Sequence, residues 1–189
     1  MKKTKALFLD RDGIIVKKIR NEAPQTPYQL HLITEIIPII QKAKECGYLT
    51  IMVSNQPDIA LGIIDENTRK NLEGIFKKLL KDSHIVLDAM YYCYHDKNGV
   101  VVKYKKDCNC RKPKPGMLLK AIKKFNINVD ESFMLGDRAS DVKAGNLAGV
   151  KTILFDPQKS QVEYLLETQI IPDYQIKVLE EVIKIICKP

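Results

Sequence analysis

At 189 residues the chain is long enough for one domain with a real core and short for two. Its formal net charge of +8 favours anionic partners, but there is no Trp and no run of aromatics interleaved with basic residues, so no nucleic-acid partner is expected. No apolar run reaches membrane-span length, and the apolar stretch behind the basic Met1–Lys5 segment breaks at Asp10, which excludes a signal-peptide core and predicts a cytoplasmic protein with no membrane partner.

Strand and helix patterns alternate along the chain. The first strand, Ala6 to Leu9, stops at Asp10-Arg11-Asp12-Gly13, and Pro24 to Pro27 marks a loop. A helix pattern over Thr34 to Cys46 ends at Gly47, and a second strand runs from Leu49 to Val53. Next come a helix from Glu66 to Lys81, a strand from Ala89 to Cys93 and a helix from Pro115 to Phe125. A strand from Ser132 to Leu135 leads into a helix from Ser140 to Ala148, and a strand from Thr152 to Phe155 follows. A weaker strand, Asp173 to Ile176, and a helix over Lys177 to Cys187 complete the pattern. The strands are short continuous apolar runs, which suits burial on both faces of a parallel sheet. The expected fold class is α/β: one doubly wound, mostly parallel sheet in a single domain over 1–189, with no insert long enough for a separate cap domain.

In such a sheet, ligands bind beyond the carboxyl ends of the strands. The residues found there are Asp10 and Asp12, then Ser54 and Asn55, then Cys93 and His95, then Gly136 and Asp137. Asp-x-Asp on an extended backbone directs both carboxylates to one face, where they can share a cation and a substrate; Asp-Gly reads equally well as a simple turn. Asp137 shares the rim with that pair, and Asp141 lies one helical turn further on, where it also suits a helix N-terminus. Carboxylates gathered at one rim repel unless a hard cation neutralises them, and oxygen-only ligands suit Mg²⁺. Most of the remaining basic clusters, Lys2 to Lys5, Lys17 to Arg20 and Lys103 to Lys106, read as solvated faces.

Asp10-x-Asp12-Gly13, Ser54, Lys112 and Gly136-Asp137-x-x-x-Asp141, in that order, resemble the four motifs of the haloacid dehalogenase superfamily of phosphohydrolases. The resemblance implies that Asp10 is the nucleophile, forming an aspartyl-phosphate, and that Asp12 is the general acid and base. It implies further that Ser54 hydrogen-bonds the phosphoryl group and that Lys112 neutralises its charge. Mg²⁺ would be held by Asp10, the backbone carbonyl of Asp12 and Asp137, with Asp141 supporting from farther out.

A second constellation is Cys93-x-His95 with Cys108-x-Cys110, separated by residues 96 to 107. Three thiolates and one imidazole form a tetrahedral set for structural Zn²⁺, favoured over ordinary reduced cysteines because the pairs bracket a polar loop. The other thiols, Cys46 and Cys187, are expected to be packing residues. The loop ends at Arg111-Lys112-Pro113-Lys114, so a metal clamp there would fix Arg111 and Lys112; Lys114 is expected at the surface.

Asp10-Arg11-Asp12-Gly13, Ser54-Asn55-Gln56, the zinc ligands and Cys110-Arg111-Lys112-Pro113 together resemble one branch of the superfamily, which contains heptose-bisphosphate 7-phosphatases and histidinol-phosphate phosphatases. The tail Pro115-Gly116-Met117-Leu118 favours the heptose side. That implies a small-molecule sugar phosphate substrate whose product feeds nucleotide-activated heptose for lipopolysaccharide, handled by a monomer. Arg11, Asn55, Gln56, Arg111 and Arg138 are then the expected substrate contacts, with Arg111 suited to a second phosphate. Two positions depart from the branch: Ser54 stands where Thr is usual, and Leu61 where Arg is common. Three loops should wall the site, from Lys17 to Leu32, Pro57 to Asp65 and Cys93 to Arg111.

Overall fold

A computed structural model describes residues 3–20, 22–156, 161, 165 and 167–187. Lys2, within the first basic cluster, lies outside them. Strands β1 (Lys5–Leu9), β2 (Tyr48–Asn55), β3 (Ala89–Cys93), β4 (Phe133–Gly136), β5 (Lys151–Phe155) and β6 (Tyr174–Ile176) form one sheet in the order β3-β2-β1-β4-β5-β6. Every pairing is parallel.

The helices are α1 (Ile36–Glu45), α2 (Glu66–Asp82), α3 (Gly116–Phe125), α4 (Ala139–Ala148) and α5 (Glu181–Ile186). Side-chain alternation divides the core into two layers. Leu7 and Leu9 of β1, with Met52 and Leu135, pack under Ile39 and Ile40 of α1, Phe76 of α2 and Val182 of α5. Ala6, Phe8, Val53 and Met134 point the other way, onto Leu118 and Ala121 of α3 and Ala144 of α4. Burial of β1, β2, β4 and β5 on both faces is why these inner strands read as largely apolar runs.

Two expectations are corrected. The last helix is shorter than Lys177 to Cys187: its regular turns cover Glu181–Ile186, and the Glu181 carboxylate accepts from the backbone of Lys177 and Val178 just outside. Cys46 and Cys187 are not packing thiols but a disulfide, with Cα atoms 6.0 Å apart. They follow the ends of α1 and α5, which pack on the same sheet face, so a separation of 141 residues closes to contact. Among the described residues, no helix is long and apolar enough to cross a membrane.

The topology fixes where a site can form. Strand order reverses between β1 and β4, and the crevice beyond their carboxyl ends is the natural ligand position. Asp10 leaves β1 at that point and Asp137 leaves β4.

Candidate active site

Asp10 is tied to the neighbouring strand by its own N–H, which donates to the Leu135 carbonyl at 2.9 Å. Its Oδ1 accepts from the Arg11 N–H at 2.7 Å and lies 2.8 Å from the Lys112 Nζ. Lys112 also reaches Asp141 Oδ1 at 2.6 Å and donates to the Val53 carbonyl at 2.9 Å, so its ammonium is fully committed inside the protein. Burial works against that charge, but the Asp10 and Asp141 carboxylates outweigh it and hold the Lys112 pKa above the ordinary lysine value. Burial, with the Asp10 charge second, pushes Asp141 up to about 7.

Asn55 places Lys112. Its side-chain Nδ2 donates to the Lys112 carbonyl at 2.9 Å, and its Oδ1 accepts from the Lys112 N–H at 3.0 Å. This two-point grip joins the end of β2 to the loop that carries Lys112.

Asp12 is held on both oxygens. Arg11 Nε donates to Oδ1 at 3.0 Å, and Gln56 Nε2 donates to Oδ2 at 2.6 Å. Gln56 also donates to the buried Ser54 Oγ at 3.0 Å. Arg11, expected among the substrate contacts, is buried, paired with Asp12 and set over the Phe76 ring at 5.9 Å. Gln56 likewise spends its amide on protein partners.

Two glycines make this crowding possible. At Gly13, with φ +97°, a Cβ would lie 2.2 Å from Asp137 Oδ2; at Gly136 it would meet the Asp141 Cβ at 2.3 Å. Both carboxylates thus occupy space that any side chain would take.

Ligand oxygens of Asp10, Asp137 and Asp141 lie within 4.8 Å of one another. Asp137 Oδ1 is buried with no hydrogen-bond partner, and burial raises the Asp137 pKa first of all. An oxygen-only cluster with an orphaned carboxylate oxygen fits a hard divalent cation.

A cavity of about 350 Å³ opens over this rim, lined by Asp10, Asp12, Asn55, Arg111, Lys112 and Arg138 among the expected residues. All three expected loops reach it, through Gln25, Leu61 and Arg111 respectively. It also contains Lys18, Glu22 and Asp58, which the sequence did not single out. The sequence neighbourhood of Lys18 reads as a solvated lysine cluster, yet the Lys18 Nζ pairs with Asp137 Oδ2 across 119 residues of sequence. No local pattern marks such a partner.

The second cluster is closed by protein. Cys93, Cys108 and Cys110 sulfurs are 3.1 to 3.5 Å apart, and His95 Nδ1 is 3.3 Å from Cys110 Sγ. A tetrahedron with metal–sulfur arms of ~2.3 Å has edges of about 3.7 Å, so the four donors fit one Zn²⁺. Burial pushes the Cys93 and Cys110 thiols up, while hydrogen bonds from both of them hold Cys108 down. Three sulfurs this close resist joint ionisation without a cation, which again suits zinc. From this loop, Arg111 Nη2 pairs with Asp96 at 3.0 Å and Nη1 donates to the His95 carbonyl at 3.3 Å. Val100 and Val101 N–H groups donate to the Ala60 carbonyl, so the loop also braces the segment carrying Asp58 and Leu61. Lys114 pairs with Asp107 at the surface, as expected.

A family model described as HAD-hydrolase-like matches residues 109–182. The D-glycero-beta-D-manno-heptose-1,7-bisphosphate 7-phosphatase of Pasteurella multocida is 40% identical over 172 residues, spanning 87% of this chain and 92% of the relative. The D-glycero-alpha-D-manno-heptose-1,7-bisphosphate 7-phosphatase of Photorhabdus laumondii is 35% identical over 154 residues, spanning 78% of this chain and 80% of the relative. Among solved structures, the D,D-heptose 1,7-bisphosphate phosphatase of B. bronchiseptica, complexed with magnesium and phosphate, superposes with a TM-score of 0.77 over 95% of this chain and 96% of its own. At 21% identity that likeness speaks for the fold.

Proposed function

The chain belongs to the haloacid dehalogenase-like family of phosphatases, and from that premise we propose that it removes the 7-phosphate of D-glycero-D-manno-heptose 1,7-bisphosphate. The observation that carries the substrate is the 40% identity extending over 92% of a relative with that name. The product, heptose 1-phosphate, would then supply nucleotide-activated heptose for lipopolysaccharide. Relatives named for the beta anomer match at 34 to 40% identity and the alpha-named one at 35%, so the anomer is left to the assay.

In the proposed mechanism, an Asp10 carboxylate oxygen forms a bond to phosphorus as the bond from phosphorus to the sugar O7 breaks. Asp12, in its acid form, gives its proton to the departing alkoxide, which is a poor leaving group without one. As a carboxylate it next takes a proton from water attacking the aspartyl-phosphate, and phosphate leaves with Asp10 restored. Arg11 and Gln56 keep the Asp12 side chain aimed during both proton transfers. The Ser54 hydroxyl takes a phosphoryl oxygen, and the Lys112 ammonium, lying against the nucleophile, neutralises the phosphoryl charge. Arg111 and Arg138 receive the second phosphate from the cavity wall.

Asp10, Asp137 and the Asp12 backbone carbonyl would hold Mg²⁺, with Asp141 behind them; when bound, the ion screens the charges of nucleophile and phosphate. Cys93, His95, Cys108 and Cys110 would hold a structural Zn²⁺. The test is phosphate release from both heptose bisphosphate anomers, histidinol phosphate and 3′-phosphorylated DNA. A heptose bisphosphate anomer should lead histidinol phosphate by ~10-fold or more in kcat/KM. Faster turnover of histidinol phosphate would overturn the substrate assignment.

A further inference from the structure

The Lys18–Asp137 pair has no role in the mechanism above, and its construction is deliberate. The segment carrying Lys18 is pinned on both sides: Lys17 N–H donates to the His31 carbonyl at 2.8 Å, and Val16 bridges Leu32. Beyond it, Ile19 and Glu22 exchange backbone hydrogen bonds of 3.1 and 3.0 Å around Arg20, which takes a left-handed φ of 51°. Lys18 therefore sits on a fixed arm, and only 15% of its side chain and of Asp137's is exposed. The Asp137 carboxylate is confined as well, because its Oδ2 fills the space that a Cβ at Gly13 would need.

We infer that Lys18 competes with the divalent cation for Asp137 and so makes tight metal binding conditional on phosphate. This rests on the proposal that Asp10 and Asp137 hold that cation. An ammonium on one carboxylate oxygen weakens the pull of that carboxylate on a second cation and repels it directly. Oδ1 of Asp137 faces no other donor, so Lys18 is what a metal must contend with there. Lys18 also lines the cavity beside Asp10 and Lys112, where a phosphate dianion would offer its ammonium another anionic partner. Phosphate draws Lys18 from Asp137 and strengthens metal binding. By linkage, the metal strengthens phosphate binding by the same factor. Direct metal–phosphate contact would give some coupling in any case; Lys18 adds to it.

The test is Mn²⁺ titration of the full, zinc-loaded chain, following free Mn²⁺ by electron paramagnetic resonance with and without saturating inorganic phosphate. Lys18→Met should bind Mn²⁺ ~10-fold tighter than wild type without phosphate, and phosphate should tighten its binding ~10-fold less. Lys18→Gln keeps a hydrogen-bond donor without the charge and should behave like Lys18→Met, which also covers a poorly folded Met variant. Lys18→Arg should track wild type. Unchanged or weaker Mn²⁺ affinity in both neutral variants, with wild-type coupling, would overturn the inference and leave a merely structural ion pair. Asp137→Asn separates the two levels: if it binds Mn²⁺ as wild type does, the carboxylate site itself is wrong and the inference falls with it.

Discussion

Among the described residues, two clusters of side chains could each hold a metal ion, and they are finished differently. Around Cys93, His95, Cys108 and Cys110 the donors face one another at 3.1 to 3.9 Å, and none of the four lines the main cavity. Around Asp10, Asp137 and Asp141 the donors are oxygens, one is left without a partner, and a cavity opens beside them. Four protein ligands saturate a tetrahedral ion and leave it nothing to do but hold a loop. An oxygen set that is incomplete, and already balanced by Lys112 and Lys18, leaves room for a reacting group. Ligand chemistry alone does not separate structural from catalytic sites; completeness does.

If that contrast is right, damage to the two clusters should differ in kind. Asp10→Asn should lower kcat by ~10⁴-fold or more with the circular dichroism spectrum unchanged, because it removes the nucleophile and little packing. Lys112→Met should cost ~10²- to 10³-fold in kcat. It should also lower Tm, since Asp10 and Asp141 would be left buried without their shared cation. Cys108→Ser should strip zinc, read by metal analysis, and lower Tm by ~5–10 °C. Its kcat should fall only ~10-fold, through looser placement of Arg111 and Lys112. Unchanged zinc stoichiometry would break the contrast at its structural end.

The smallest effect tests how the loop from Cys93 to Cys110 is tied to α2. Glu66 accepts from Arg69 and from Tyr104 of that loop, and these bonds, Arg69's first, bring its carboxyl down to about 2. A lowered folded-state pKa gives stability that is present above the ordinary value near 4.5 and is lost as pH falls toward 2. Glu66→Gln should therefore reduce Tm by ~1 °C at neutral pH, with the difference from wild type closing as pH drops from about 4.5 to 2. A constant difference across that range would mean the carboxylate charge is not what holds the loop.

Much of this was legible in the chain. Asp10, Ser54 and Asp137 announce themselves because acids and hydroxyls end apolar strands, and strand ends are where a parallel sheet puts ligands. Cys93, His95, Cys108 and Cys110 announce themselves as a cluster by pair spacing. What escaped depends on residues far apart in sequence. Arg11 looks like a pocket arginine until α2 supplies Phe76 and turns it inward against Asp12. Lys18 looks like one of three basic residues in a polar loop until the bridge from Val16 to Leu32 brings it over Asp137. Cys46 and Cys187 sit in ordinary helical patterns, and nothing local shows that their helix ends meet. In each case the deciding partner comes from tertiary packing, which no local periodicity encodes.

The central claim is that the open cluster performs phosphoryl transfer through Asp10. It is tested most directly by acid-quenching the enzyme during turnover of heptose 1,7-bisphosphate with Mg²⁺, reducing with borohydride and sequencing the peptides by mass spectrometry. Reduction of an aspartyl-phosphate yields homoserine, and the account predicts homoserine at position 10 alone, only when substrate and Mg²⁺ are both present. Turnover with Asp10 unmodified, or homoserine at Asp12, Asp137 or Asp141 instead, would contradict it.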